Sequence, residues 1–169
     1  MNTNTSQAGA PPRQAVLDDV NRWFFDDYLP TWAGVAAGTI NRGPDFVLDY
    51  WSAPLHYSDG TVSEWFVEGA AVTGFLNSIQ QRLKQHGYTH TDVPDHRTRV
   101  YSDTGTSVEV IWSRCGDGYE IERIAVHFEI ARSDQGWRVV GIQTTPTASS
   151  SLDAVWPLNL STPLTETRT

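Results

Sequence analysis

The chain is poor in residues that staple or ligate. Among its 169 residues there is 1 cysteine, Cys115, which excludes an intrachain disulfide and a cysteine-rich zinc site. It also lacks a basic cluster. Its 12 Lys and Arg stand against 20 Asp and Glu, a formal net charge of -8, so nucleic acid, which asks for a basic face, is not an expected partner. Long apolar runs are missing as well. The longest small-apolar stretch, Trp32 to Gly38, is far too short to span a bilayer, and the polar opening from Met1 to Gln7 has no signal-peptide character. These absences predict a cytoplasmic protein with no membrane partner. There is no G-x-S-x-G elbow, phosphate-binding glycine loop or dinucleotide fingerprint, so hydrolase-triad, nucleotide-dependent and redox-cofactor chemistry lack a motif, and no cofactor is expected.

What is present is enough for one core. Hydrophobic residues make up 39% and aromatics 11%, with 7 Trp, in a length that fits a single domain. Residues 1–12 are polar and end in Pro11-Pro12, a lead-in. Residues 13–145 carry the periodic patterns, and residues 146–169 are a Ser/Thr/Pro-rich tail. Within the tail, Leu152, Val155, Trp156 and Leu158 are out of character and suit docking on the domain or on a partner.

Helical spacing comes first. Val16, Val20, Phe24 and Tyr28 recur every four residues and predict a helix over 13–28 that Pro30 ends. A Gly-broken segment follows from Trp32 to Gly43, then a short helix over 45–51. An extended stretch from Leu55 to Tyr57 turns at Ser58-Asp59-Gly60. Val72, Phe75, Leu76, Ile79 and Leu83 share one face of a helix over 68–86, with Gly87 as its left-handed stop. The period then changes to two. Residues 97–101, 107–115, 119–132 and 137–144 read as a four-stranded meander, so helices followed by antiparallel strands predict an α+β domain with helices on one sheet face. In the central hairpin, a three-residue Gly116-Asp117-Gly118 loop keeps Val108, Val110 and Trp112 on one face with Ile124, Val126, Phe128 and Ile130. It pairs Val110 with Ile124, Ser107 with His127, and Arg114 with Glu120.

This order of elements resembles the nuclear transport factor 2-like superfamily, especially its SnoaL-like branch and the uncharacterised members common in actinobacteria. The matching features are Tyr50-Trp51-x-x-Pro54-Leu55 leading into the first strand, the long third helix, and the closing strand Gly136-Trp137-Arg138-Val139. The resemblance covers residues 13–145. It implies three N-terminal helices on a strongly bent antiparallel sheet, a cystatin-like cone with an internal hydrophobic pocket, and a homodimer through the sheet. It implies no single reaction, since relatives include isomerases, cyclases, dehydratases and inert binders.

Candidate chemistry is therefore read residue by residue. His127 lies mid-strand on a face with Glu109 and Glu129, where imidazole suits a general base near neutral pH. That face is also the less apolar one, which makes His127 an equally good outer-face residue. His56 and Tyr57 point to opposite sides of a strand, so one of them can face a pocket. Isomerase-like relatives place an Asp base near here, and Asp59 is the candidate, although Ser-Asp-Gly is also a turn sequence. Tyr28, Trp65, Phe66 and Trp112 are candidate pocket-lining residues, with plain core as the competing assignment. His86 and His90 stand four apart, but Gly87 breaks the helix between them, so no metal is expected. The expected function is binding of a small apolar molecule, either alone or with cofactor-free acid/base chemistry of the isomerase, cyclase or dehydratase kind. The alternative is a non-catalytic dimeric interaction domain.

Overall fold

A computed structural model describes residues 12–158. The expected lead-in, apart from Pro12, and the tail from residue 159 lie outside the described residues. The first helical run does not stop at Pro30. Helix α1 (Arg13–Asn21) passes through a π-helical segment (Arg22–Tyr28) into α2 (Leu29–Ala37). In an α-helix the Pro30 ring would clash with the carbonyl four residues back. The wider i→i+5 turn just before it, with the Leu29 N–H donating to the Phe24 carbonyl, relieves that clash. The same segment keeps the every-four stripe in line. That stripe drifts by roughly 40° per step on a 3.6-residue helix, yet Val16, Val20, Phe24, Tyr28, Trp32 and Ala36 are all buried. Thus the expected break at Trp32 begins instead at Gly38, in the left-handed region (φ 77°). Gly34 sits inside the helix because Ile40 folds back on it, and a Cβ there would meet Ile40 Cδ1 at 2.5 Å.

The expected short helix over 45–51 is a 3-10 turn, Pro44–Asp49, which buries Phe46 and Val47. Trp51 already belongs to strand β1 (Trp51–Ser58). It pairs with β2 (Ser63–Phe66), an edge strand that sequence reasoning missed. Helix α3 (Gly69–Gln85) buries Val72, Leu76 and Leu83 as its pattern requires, and Gly87 (φ 69°) lies just beyond its end. Strands β3 (His90–Val100), β4 (Gly105–Gly116), β5 (Tyr119–Ser133) and β6 (Gly136–Pro146) form the meander. The six-stranded order is β2-β1-β6-β5-β4-β3. All pairings are antiparallel except β1 with β6, so the sheet is mixed rather than wholly antiparallel. Register shifts at Trp51/His56, Asp92/Asp95, Arg114/Cys115 and Glu129/Ile130 bend it.

The β4–β5 hairpin corrects the expected pairing while preserving the expected faces. Gly116 pairs with Tyr119 and Cys115 with Glu120 across a two-residue turn. One extra residue on β5 then moves Arg114 opposite Glu122, Val110 opposite Val126 and Glu109 opposite His127. A two-residue turn alone would have mixed the faces, and the bulge restores them. One sheet face packs on the helices with Val108, Val110, Trp112, Val126, Phe128 and Ile130 buried. Trp137 Nε1 donates to Asp19 at 3.0 Å and ties the closing strand to α1.

The opposite face holds a second cluster. Ile111 and Ala125 are covered by Leu152 of the short helix α4 (Leu152–Val155), with Val155 and Trp156 beside them. The Leu152 N–H donates to Asp95 at 2.8 Å, and Arg97 donates to Asp153 and to the Trp156 carbonyl, both at 3.1 Å. The described part of the tail therefore docks on its own domain.

Candidate functional site

Phe75, Ile79 and Arg82 follow one another at i, i+4 and i+7 on α3 and so share a face. They meet Tyr57 of β1, Arg114 of β4, Glu122 and Ile124 of β5, and Thr144 and Pro146 of β6 around a cavity of about 360 Å³. The Asp59-Gly60-Thr61 turn forms part of its rim. Behind this mouth is an inner end of about 30 Å³ walled by Trp32, Trp51, Trp112, Val126, Phe128 and Ile142. Tyr57, Phe75, Ile79 and Arg114 line both spaces, so the two adjoin. A largely apolar opening with a few polar groups, beside an aromatic end, is the usual form of a small-molecule site.

Arg114 is the most unusual residue in this wall. It is 5% exposed, and its guanidinium carbon lies 4.9 Å from the Trp32 ring centroid and 5.0 Å from that of Trp112. Such stacking suits a weakly hydrated, planar cation. Nη1 donates to Glu122 at 2.6 Å, and Arg82 donates to the same carboxylate through both terminal nitrogens at 2.8 and 3.1 Å. Burial pulls the Arg114 guanidinium down from its ordinary value while the Glu122 charge opposes that pull. Burial would raise the Glu122 carboxyl, but the two arginines outweigh it and hold the group below its usual range. Arg114 Nε and Trp112 Nε1 are buried and have no hydrogen-bond partner. Each unpaired buried donor costs about 1–3 kcal/mol.

The rim carries a second polar pair. Tyr57 donates to Asp59 Oδ2 at 3.0 Å and lies 3.2 Å from the Thr144 hydroxyl. Burial, with the Asp59 charge, raises the Tyr57 hydroxyl above its ordinary value. Asp59 Oδ1 accepts from the Thr61 N–H, the Thr61 hydroxyl and the Val62 N–H at 2.7, 2.9 and 2.9 Å. Those donors, with Tyr57, hold the Asp59 carboxyl down at about 2. A carboxylate so well satisfied is a weak base.

Of the remaining candidates, His127 shares an outer groove with Asp59, and the others lie apart from it. His56 lies on the other side of β1 from Tyr57, 3.1 Å from the Ser63 hydroxyl and against the Trp65 ring at 4.9 Å. Trp65 is 63% exposed and lines neither the mouth nor the inner end. Phe66 stacks behind Phe75 at 4.6 Å and supports the wall without forming it. Tyr28 is sealed in the core, accepting from Trp51 Nε1 at 3.0 Å, and burial pushes its hydroxyl up. Of the four residues expected to line the pocket, Trp112 alone does so.

His127 lies on the outer face with its Nδ1 3.2 Å from Glu109, which also accepts from Arg97 Nε at 2.6 Å. Both His127 and Glu109 border a shallow outer groove of about 430 Å³ beside Trp156. Among the described residues, one trio brings possible metal ligands within 4.8 Å, namely His90, Asp92 and Cys115, and the first two are exposed. Sequence reasoning missed Arg82, Arg114 and Glu122 as a site. The available signal was an arginine closing the apolar alternation Val108-Val110-Trp112. No helix among the described residues is long and apolar enough to cross a membrane.

A family model described as NTF2-like protein (DUF6841) matches residues 18–147. No curated protein matches the chain. Among solved structures, an NTF2-like protein with a cystatin-like fold from Novosphingobium aromaticivorans is similar at 18% identity and TM-score 0.56, over 87% of this chain and 93% of that one. An NTF-2 like protein of unknown function from Shewanella oneidensis aligns at 9% identity and TM-score 0.57, over 76% and 98%. A candidate ketosteroid isomerase from Parabacteroides distasonis aligns at 9% identity and TM-score 0.51, over 89% and 98%. At these identities the likeness is one of fold.

Proposed function

The chain belongs to the DUF6841 family of NTF2-like proteins, and from that premise we propose that it binds a small, largely apolar molecule in the chamber between α3 and the sheet. The observation that supports this reading is a mouth of about 360 Å³ adjoining an aromatic inner end, with Tyr57, Phe75, Ile79 and Arg114 common to both. Binding is favoured over catalysis because the chamber is rich in donors and poor in bases. Its carboxylates are Glu122, shared by two arginines, and Asp59, held at about 2.

Cofactor-free isomerase, cyclase or dehydratase chemistry is the second reading, carried by the 3.0 Å contact of Tyr57 with Asp59 at the rim. In it Tyr57 supplies the proton and Asp59 the weak base. We also propose membership of the SnoaL-like branch, of actinobacterial type, on the Tyr50-Trp51-x-x-Pro54-Leu55 and Gly136-Trp137-Arg138-Val139 motifs. A homodimer through the sheet, as a cytoplasmic protein, completes the proposal. In it α4 is part of the contact, since it occupies the outer face over Ile111 and Ala125.

The test is titration with 4-phenylbutanol, a neutral apolar probe, followed by tryptophan fluorescence, because Trp32, Trp51 and Trp112 wall the inner end. A saturable change is expected in the native protein. Filling the mouth with Ile79→Trp abolishes it while leaving the protein folded by circular dichroism. Absence of any saturable change in the native protein overturns the binding reading.

A further inference from the structure

We propose that the ligand of this chamber is a small apolar carboxylic acid, bound head first, with its carboxylate at Arg114 and Trp112. The inference rests on the binding reading above and names the chemistry of what binds. Three observations carry it. Arg114 Nε and Trp112 Nε1 are both donors, both buried, both unpartnered, and both belong to side chains that wall the inner end. Native interiors rarely leave two such donors unmatched side by side, and what answers them is an acceptor. The second observation is charge. Arg82, Arg114, Asp59 and Glu122 line the chamber, two charges of each sign, in a chain whose net charge is -8. Glu122 answers Arg114 only through Nη1, so the Nε side of that guanidinium has no partner.

The third observation is size and lining. The inner end, about 30 Å³, admits a head group of a few atoms, since a single water needs roughly 10–15 Å³ of such space. The mouth, about 360 Å³, offers Phe75, Ile79, Ile124 and Pro146 to an apolar body behind that head. A guanidinium packed against two indole rings, 4.9 and 5.0 Å from their centroids, is held in a set orientation, and its planar N–H groups suit a planar carboxylate. The stacking holds Arg114 in place before any ligand arrives, so little side-chain ordering is left for binding to offset.

The experiment is calorimetric titration of the full-length protein with 4-phenylbutyrate and with 4-phenylbutanol, which share the apolar body and differ in the head. The acid is expected to bind at least about tenfold tighter than the alcohol, as a charge-assisted contact requires. Arg114→Met should weaken the acid at least about tenfold more than the alcohol and so abolish that preference. Trp112→Phe, which removes only the indole donor and little volume, is the second variant. It should reduce the preference without loss of fold. Equal binding of acid and alcohol overturns the carboxylate assignment and leaves the chamber reading standing. A preference that survives both variants also overturns it, because the acid is then recognised elsewhere. Failure of both probes to bind the native protein overturns the chamber reading itself and this inference with it.

Discussion

The buried arginine makes an unequal prediction for the two ends of its ion pair. Glu122→Gln removes the one carboxylate that Arg114 and Arg82 share, and leaves a 5% exposed guanidinium without a counter-charge. Breaking a buried pair from one side costs roughly 3–5 kcal/mol, and the low end, about 3 kcal/mol, applies because Glu122 keeps some contact with water. Arg114→Met is different. Glu122 retains both bonds from Arg82, the unpartnered Nε disappears, and the methionine packs against Trp32 and Trp112. Loss of the two ring contacts, each worth about 1–2 kcal/mol when desolvated, opposes relief of the desolvation cost, so the net change should lie within about 1 kcal/mol.

In the Arg114→Met background the Glu122→Gln change should shrink to about 1 kcal/mol, the value of the solvent-exposed Arg82 contact alone. The coupling between the two positions is then about 2 kcal/mol. Urea denaturation of the native protein, both single variants and the double variant measures all four corners of the cycle. A coupling below about 0.5 kcal/mol would refute the reasoning, because it would mean that Arg114 does not depend on Glu122 for its charge.

Three further outcomes are expected. Stability should fall in acid. Asp59 sits at about 2 when folded against 3.8 ordinarily, and Glu122 lies below its ordinary 4.5. Depressed carboxyls contribute stability that is complete above the unfolded values and lost as pH falls through the folded ones. The urea midpoint should therefore decline below pH 4.5, with a limb reaching down toward 2 that Asp59→Asn flattens, and a midpoint constant from pH 5 to 2 contradicts this. Leu76→Ala, at 0% exposure on the packed face of α3, should cost about 2–5 kcal/mol by chemical denaturation, and a loss under about 1 kcal/mol contradicts its core placement. Leu152→Ala should cost about 2 kcal/mol, at the low end because a four-residue helix can settle onto Ile111. No loss would mean that the tail contributes nothing to the fold.

The α+β order and the helix stripes were legible because burial imposes periodicity, and Val16 to Tyr28 and Val72 to Leu83 carry it openly. Pro30 misled because its usual effect presumes an α-helix, and a π-helical segment is the local conformation that cancels that effect. Strand β2 and the first half of β3 were invisible for a related reason. Both are edge strands, exposed on more of their surface, and residues 90–96 carry Asp92, Pro94 and Asp95 where a central strand would carry apolar residues. The parallel contact of β1 with β6 joins segments about 85 residues apart, and no local pattern encodes which strand a β1 will meet.

The site was misread through one residue of bulge. With Arg114 set opposite Glu120, the pair looks like an ordinary cross-strand contact at a hairpin end, and attention goes to the histidines. With the extra residue on β5, Arg114 faces Glu122 and turns inward. Yet parity alone had already put Arg114 on the apolar face, two residues beyond Trp112 and four beyond Val110. An arginine in that alternation has two outcomes. It reaches past the sheet's end to water, or it is buried with a partner and a purpose, since burying a charge without one is too costly. The aromatic residues decide between them. Trp32 continues the first helix stripe and Trp112 precedes Arg114 by one step on its face, so an indole from α2 and one from β4 both lie against the cation. Alternation thus sets Arg114, the one buried cation among the described residues, on the core face, and the histidines stand apart from it.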